Sequence, residues 1–199
     1  MAIDKIQSES INLADNFAFT GTVSGAGTHN LLGSSTVSSS TASVTFTNST
    51  FTGFDIYMVE GIMIQPVNDN VKLRCRVAGA DGVIDTGSIY NYAYKGLVST
   101  GGDVDNGNQT QAQYLLYGDT VSTGSETDEG LTFRMWVSGV ADSTVFTQFH
   151  SIGVSVGSNY CVSMSSACNI YEANTTTKLQ FDFSSGNIAK GTFKIYGVS

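Results

Sequence analysis

An all-β fold, an antiparallel β-sandwich of the jelly-roll kind, is what this sequence predicts, and three observations predict it. Apolar residues recur at every second position in segment after segment, the spacing that lays one face of a strand on a core. Clusters of Gly, Asn and Asp separate those segments, and these are the residues that tight turns favour. No window carries a helical stripe longer than two turns, and the Glu and Lys that would cover helix surfaces are scarce. The chain has 199 residues, 41% of them hydrophobic, with eleven Phe, nine Tyr and one Trp. A chain of that size can bury a core without disulfides or metal.

Residues 1–16 stand apart. Asp4, Lys5, Glu9 and Asp15 are interspersed with the isolated apolar residues Ile3, Ile6, Ile11 and Leu13, without Gly punctuation. They read as a short extended or helical peptide, either frayed or docking against another subunit, ahead of a β-domain over 17–199. Short β-like pieces follow at 17–23 and 44–47, and Gly33–Ser43 is close to low complexity, predicting a loop or loosely held edge. Phe54, Ile56, Met58, Ile62 and Ile64 mark 54–65 as the longest predicted strand, with the sole proline, Pro66, at its end. Further strands are predicted at 71–78, 88–95, 111–117, 131–138, 144–156, 160–164, 178–183 and 191–198. In the last two, Leu179, Phe181 and Phe183 face one way and are expected to meet Phe193 and Ile195.

Charge narrows the partners. Charged residues make up 13% of the chain, about half of the ~25% usual in soluble domains. Lys plus Arg is 9 against Asp plus Glu 17, a net charge of −8, so nucleic acid and anionic membrane surfaces are poor partners. No apolar run approaches the ~18–20 residues that would cross a bilayer, so no membrane insertion is expected. The opening Met1-Ala2-Ile3-Asp4-Lys5-Ile6-Gln7-Ser8 has neither a basic nor an apolar signal region, which predicts assembly in the cytoplasm. A composition suited to outside surfaces, without an export signal, points towards virion components released by lysis.

Reactive chemistry is thinly represented. Cys75 shares an apolar face with Val71, Leu73 and Val77, as a small core residue does, while Cys161 and Cys168 either pair across a hairpin or, as expected in the cytoplasm, stay reduced. His29 and His150 are the only histidines, and no Gly-x-Ser-x-Gly elbow accompanies either. Glu126, Asp128 and Glu129 crowd one Ser/Thr/Gly turn; a glycosidase pair could be built from them, but a solvated acidic loop is the commoner meaning. Asp103-Val104-Asp105-Asn106-Gly107-Asn108 resembles an oxygen-rich calcium loop, yet Gly107 misses the required place and Tyr114 stands where the bidentate Glu belongs. As a β-turn the segment needs no metal. The sequence therefore predicts a non-enzymatic protein without catalytic residue, metal or cofactor.

Aromatic residues are the better candidates. Tyr90, Tyr92 and Tyr94 form one stripe; Trp136 sits beside Arg134 on the face opposite Leu131, Phe133 and Met135. Such residues either pack between sheets or subunits, the commoner use, or stack on the apolar faces of sugar rings.

The closing segment, Ser185-Gly186-Asn187-Ile188-Ala189-Lys190-Gly191-Thr192-Phe193-Lys194-Ile195-Tyr196-Gly197-Val198, resembles the C-terminal strand pair of many tailed-phage structural proteins of the tail-fibre kind. The opening, Asp4 to Leu13, is similar to the start of fibre-like phage proteins. Between them, Lys72-Leu73-Arg74-Cys75-Arg76-Val77 looks like that group's arginine-bearing strand, with its tyrosine-rich segment following. The resemblance implies a virion protein, commonly a homotrimer. Its N-terminal peptide (Ile3, Ile6, Ile11, Leu13) would dock on other virion proteins, and its β-domain would face a host glycan or protein. It assigns no binding residues. A capsid decoration or head-fibre protein, a stand-alone carbohydrate-binding module and a polysaccharide depolymerase are the alternative readings.

Overall fold

Two antiparallel sheets face each other, and their inward side chains build one core. The computed structural model describes residues 28–51, 53–117, 122–157 and 159–199. The predicted anchor residues Ile3, Ile6, Ile11 and Leu13, and the predicted strand at 17–23, lie outside the described residues. The strands are β1 (His29–Val37), β2 (Val44–Thr47), β3 (Ile56–Pro66), β4 (Leu73–Ala78), β5 (Tyr90–Val98) and β6 (Asp103–Gln111). They continue with β7 (Tyr114–Leu115), β8 (Gly130–Ser138), β9 (Phe146–Gly157), β10 (Tyr160–Ala173), β11 (Lys178–Phe183) and β12 (Ile188–Val198). A single turn of 3₁₀ helix, Asn48–Thr50, interrupts them.

The large sheet runs β1-β12-β3-β8-β9-β10-β5-β6 and the small one β2-β11-β4-β7. The first and last of the described strands are nested: β1 pairs β12 in the large sheet, and β2 pairs β11 in the small one. That is the wrapping of a jelly roll. β8, β9 and β10 depart from it as a plain meander.

Period-two patterning explains the layering. On β8, Leu131, Phe133, Met135 and Val137 are buried, while Arg134 is exposed and Trp136 is half-buried. On β11, Leu179, Phe181 and Phe183 point into the same core from the other sheet. The predicted meeting of these elements is present: the Phe181 ring lies 5.4 Å from Phe193 and 5.8 Å from Phe133. Cys75 is buried among them, as expected.

Several polar groups inside the sandwich are matched, whereas the buried Tyr57 hydroxyl has no hydrogen-bond partner among the described residues. Tyr114 of β7 bonds across to Ser151 of β9 (2.8 Å) and Ser166 of β10 (2.6 Å), and Ser166 Oγ donates to the Leu116 carbonyl at 2.7 Å. On the outer side of the small sheet, Arg74 forks onto Asp182 through Nε (3.0 Å) and Nη2 (2.7 Å), and Arg76 joins the same carboxylate. A partly desolvated carboxylate between two guanidiniums keeps β4 and β11 in register.

Of the two readings of Gly33–Ser43, the loosely held edge is present in its first half, which completes β1, an edge strand that β12 holds through main-chain bonds with little more than Leu32 and Val37 turned to the core. Other expectations are corrected. Asp103–Asn108 is not a turn but most of β6, the other edge of the large sheet. Edge strands can form without an apolar face, so no alternation marks them. The predicted strand at 111–117 shrinks to the two residues of β7. The strand predicted at 160–164 extends to Ala173 and, at 14 residues, exceeds the 11 of β3. Its inward positions beyond Met164 are Ser166, Cys168 and Ile170, too small or polar at first to read as a core face.

Gly61 shows how tightly the layers close. A Cβ placed there would enter the ring of Phe133. We expect Gly61→Ala to lower stability by about 1–3 kcal/mol, seen as a lower urea midpoint with unchanged slope. Gly107→Ala, where the added methyl meets only the Ala93 Cβ at 4.0 Å, should stay within about 0.5 kcal/mol.

Candidate functional site

Because the inward face of the large sheet is committed to the core, its outward face carries whatever the sheet presents to solvent. Pairing register arranges that face in rows running across the strands. One row reads Lys194, Glu60, Arg134, Ile152, Ser165, Lys95, Asp105. The next reads Tyr196, Met58, Trp136, His150, Ala167, Ala93, Gly107. The third reads Val198, Ile56, Ser138, Gln148, Asn169, Asn91.

The middle row holds the distinctive feature. The Trp136 indole and His150 imidazole stack with centroids 5.7 Å apart and planes 21° from parallel. His150 Nε2 lies 3.3 Å from Ser165 Oγ, which fixes the ring on the far side. Met58, between Tyr196 and Trp136, is buried although it points outward. Beyond His150 the row falls away to Ala167, Ala93 and Gly107. This leaves a trough of about 780 Å³ beside the amides of Asn91, Gln148 and Asn169. A second trough of about 780 Å³ lies over Leu97, Ile152 and Val154, between Lys95 and Arg134. Arg134 Nε donates to Glu60 Oε1 at 2.8 Å, an exposed pair that adds little stability but holds the guanidinium beside Trp136.

No protein family, no curated protein and no solved structure matches this chain. The site is therefore read from its own geometry.

Of the residues singled out in the sequence, Trp136 and Arg134 come together on the outer face. Tyr90, Tyr92 and Tyr94 do not join them. All three are buried between the sheets, so of the two readings of that stripe core packing is present and glycan contact is not. Tyr92 lies 5.9 Å from the Tyr114 ring, and the Tyr90 hydroxyl accepts from Val77 N (2.9 Å) and donates to Asp85 O (3.1 Å). The stripe cannot reach solvent because even positions of β5 face the small sheet.

Cys161 and Cys168 lie on one strand an odd number of residues apart, hence on opposite faces; of the two readings, the reduced one is present, with one thiol exposed and one buried. Asp103 and Asp105 flank Lys95 Nζ at 3.8 and 3.7 Å, so both carboxylates of the calcium-like segment already share an ammonium. No metal-binding group of His, Cys, Asp or Glu occurs among the described residues. In the 126–129 turn, Glu129 is buried and its Oε2 accepts from Glu126 N at 2.8 Å, while Glu126 and Asp128 are exposed. Glu129 thus shapes its own turn. No helix among the described residues is long and apolar enough to cross a membrane.

In the sequence His150 stands only as a candidate catalytic histidine, and Gln148, Asn169 and the Ala/Gly floor were not singled out. One signal did exist: Trp136 and His150 are equidistant from Ser143, so a hairpin centred there makes them cross-strand neighbours.

Buried acids give the fold a pH limit. Burial pushes the Tyr90, Tyr114 and Tyr117 hydroxyls well above their ordinary value of 10.0, and the Cys75 and Cys168 thiols above 9.0. The unfolded chain releases these protons where the folded chain still holds them. Raised folded values therefore mean stability complete below about pH 9 and progressively lost above it. Urea titrations should show a flat midpoint to pH 8.5 and a fall by pH 10.5, shallower in Tyr117→Phe.

Proposed function

We propose that this chain is a non-enzymatic structural protein of a tailed-phage virion, a tail-fibre-like appendage that attaches particles to the host surface. One observation carries the reading: the outward Trp136–His150 stack, set beside an amide-lined trough on the broad face of an eight-stranded sheet. A half-buried indole stacked on an exposed imidazole beside amides suits a binding surface rather than a reactive centre. The likeness of both chain ends to tail-fibre proteins supports the virion setting. So does the chain's net charge of −8, which disfavours nucleic acid as its partner.

The mechanism is multivalent. A single shallow face binds weakly, since little of a ligand is enclosed. Repeated around a homotrimer, the same face gains avidity through effective concentration without a new contact. In this reading Ile3, Ile6, Ile11 and Leu13 dock on other virion proteins and the large sheet looks outward.

Two experiments test the reading. Particles carrying Trp136→Ala should adsorb to host cells at least tenfold more slowly while remaining intact. Unchanged adsorption, with a loss of heat or osmotic resistance in particles lacking the protein, would instead support capsid decoration. Deletion of residues 1–16 should abolish incorporation into particles yet leave a folded, soluble domain by circular dichroism. If the truncated protein is unfolded, the anchor assignment is wrong.

A further inference from the structure

We propose that the trough floored by Ala93, Ala167 and Gly107 is a subsite for an uncharged glycan, with the Trp136–His150 stack as its end platform. The inference names the ligand class of the attachment face and so rests on the preceding reading.

Shape comes first. Ala167 pairs with Ala93, and Ala93 with Gly107, so three adjacent strands lose their outward side chains at the same level. The floor is close to bare backbone and is bounded on one side by longer amide side chains. A ring can lie flat there; a bulky branched group has no recess to enter.

Hydrogen-bonding capacity comes next. Among the described residues, the side-chain amides of Gln148 and Asn169 make no hydrogen bond. Asn91 Oδ1 accepts only from Thr110 N, at 2.9 Å, which leaves its NH₂ group available. Amides offer both donor and acceptor, the match for hydroxyl groups that are themselves both.

Charge decides between polymers. No ionised side chain lines this trough; Lys95 and Asp105 sit one row away and are paired with each other. The whole chain is acidic, with a net charge of −8. An anionic polysaccharide would meet no fixed cation on the floor and a repulsive field around it.

Peptide is disfavoured by topology. β8, β9, β10 and β5 each have a paired neighbour on both sides. Their backbone groups are already bonded, so an extended peptide cannot add as another strand at the trough. What is left is side-chain recognition of a ligand with apolar ring faces and hydroxyl edges, which describes a neutral sugar chain.

The protein supplies its own probe. Trp136 is the only tryptophan in the chain, so its emission reports this face without a label. The experiment titrates the full chain with neutral tetra- to hexasaccharides of glucose, galactose, mannose, rhamnose and N-acetylglucosamine, using oligogalacturonate and an unrelated decapeptide as contrasts. At least one neutral series should shift the emission saturably. Gln148→Ala or Asn169→Ala should weaken that binding about five- to tenfold, in line with one or two lost hydrogen bonds. Ala167→Phe, which fills the floor, should abolish it, and Val83→Ser, in the distant β4–β5 loop, should leave it unchanged.

If Ala167→Phe alters the urea midpoint, the two amide variants decide. Saturable binding by oligogalacturonate or peptide alone, or no binding by any neutral series, overturns the proposal. Loss of adsorption without glycan binding would remove the ligand class and spare the attachment reading. Glycan binding with normal adsorption would do the reverse.

Discussion

Phe181 reaches from the small sheet to Phe133 and Phe193 of the large one, and where those three rings meet, the two layers are set at their working distance. Each buried Phe contributes roughly 1.5–3 kcal/mol by leaving water, and ring pairs add about 0.5–1.5 kcal/mol through their geometry. Gly61, whose missing side chain makes room for the Phe133 ring, is the steric condition for that approach. Since side chains alternate along a strand, turning Phe133 inward turns Arg134 and Trp136 outward. The outer face is therefore a by-product of core burial, and its rows follow from register.

Polar contacts refine this arrangement rather than drive it. Tyr114, Ser151 and Ser166 link the small sheet to the large one inside the core, where any unmatched hydroxyl would be costly. Asp182 between Arg74 and Arg76 does the same for strand register on the other side of the small sheet. Lys95 with Asp103 and Asp105 lies at the β6 edge, where charges discourage pairing with another chain. The Tyr90 stripe, the arginine-bearing strand, the Asp103 segment and the 126–129 turn thus make contacts within the fold. Trp136 differs. Its side chain has no core to fill, and its stacking partner comes from the neighbouring strand.

Strands with an apolar face were legible because burial writes itself into alternation: β3, β4, β8, β11 and β12 are all visible that way. The edges β1 and β6 were not, because main-chain pairing with a single neighbour asks almost nothing of side-chain type. β10 was half legible, since Ser166 and Cys168 are inward residues that look like turn or surface residues until their neighbours are known. For the candidate site, Trp136 and Arg134 were visible and correctly oriented. Ala93, Ala167 and Gly107 were not, for a floor made of missing side chains has no signature in one dimension.

Local order thus determined which faces of this chain turn inward and that it forms strands rather than helices. Tertiary structure alone decided which strands became neighbours. That choice set Trp136 against His150, buried the tyrosine stripe, and opened a trough beside three amides. Alternation is a property of one strand and can be read along it. Register is a property of pairs, fixed when the two sheets close over Phe181.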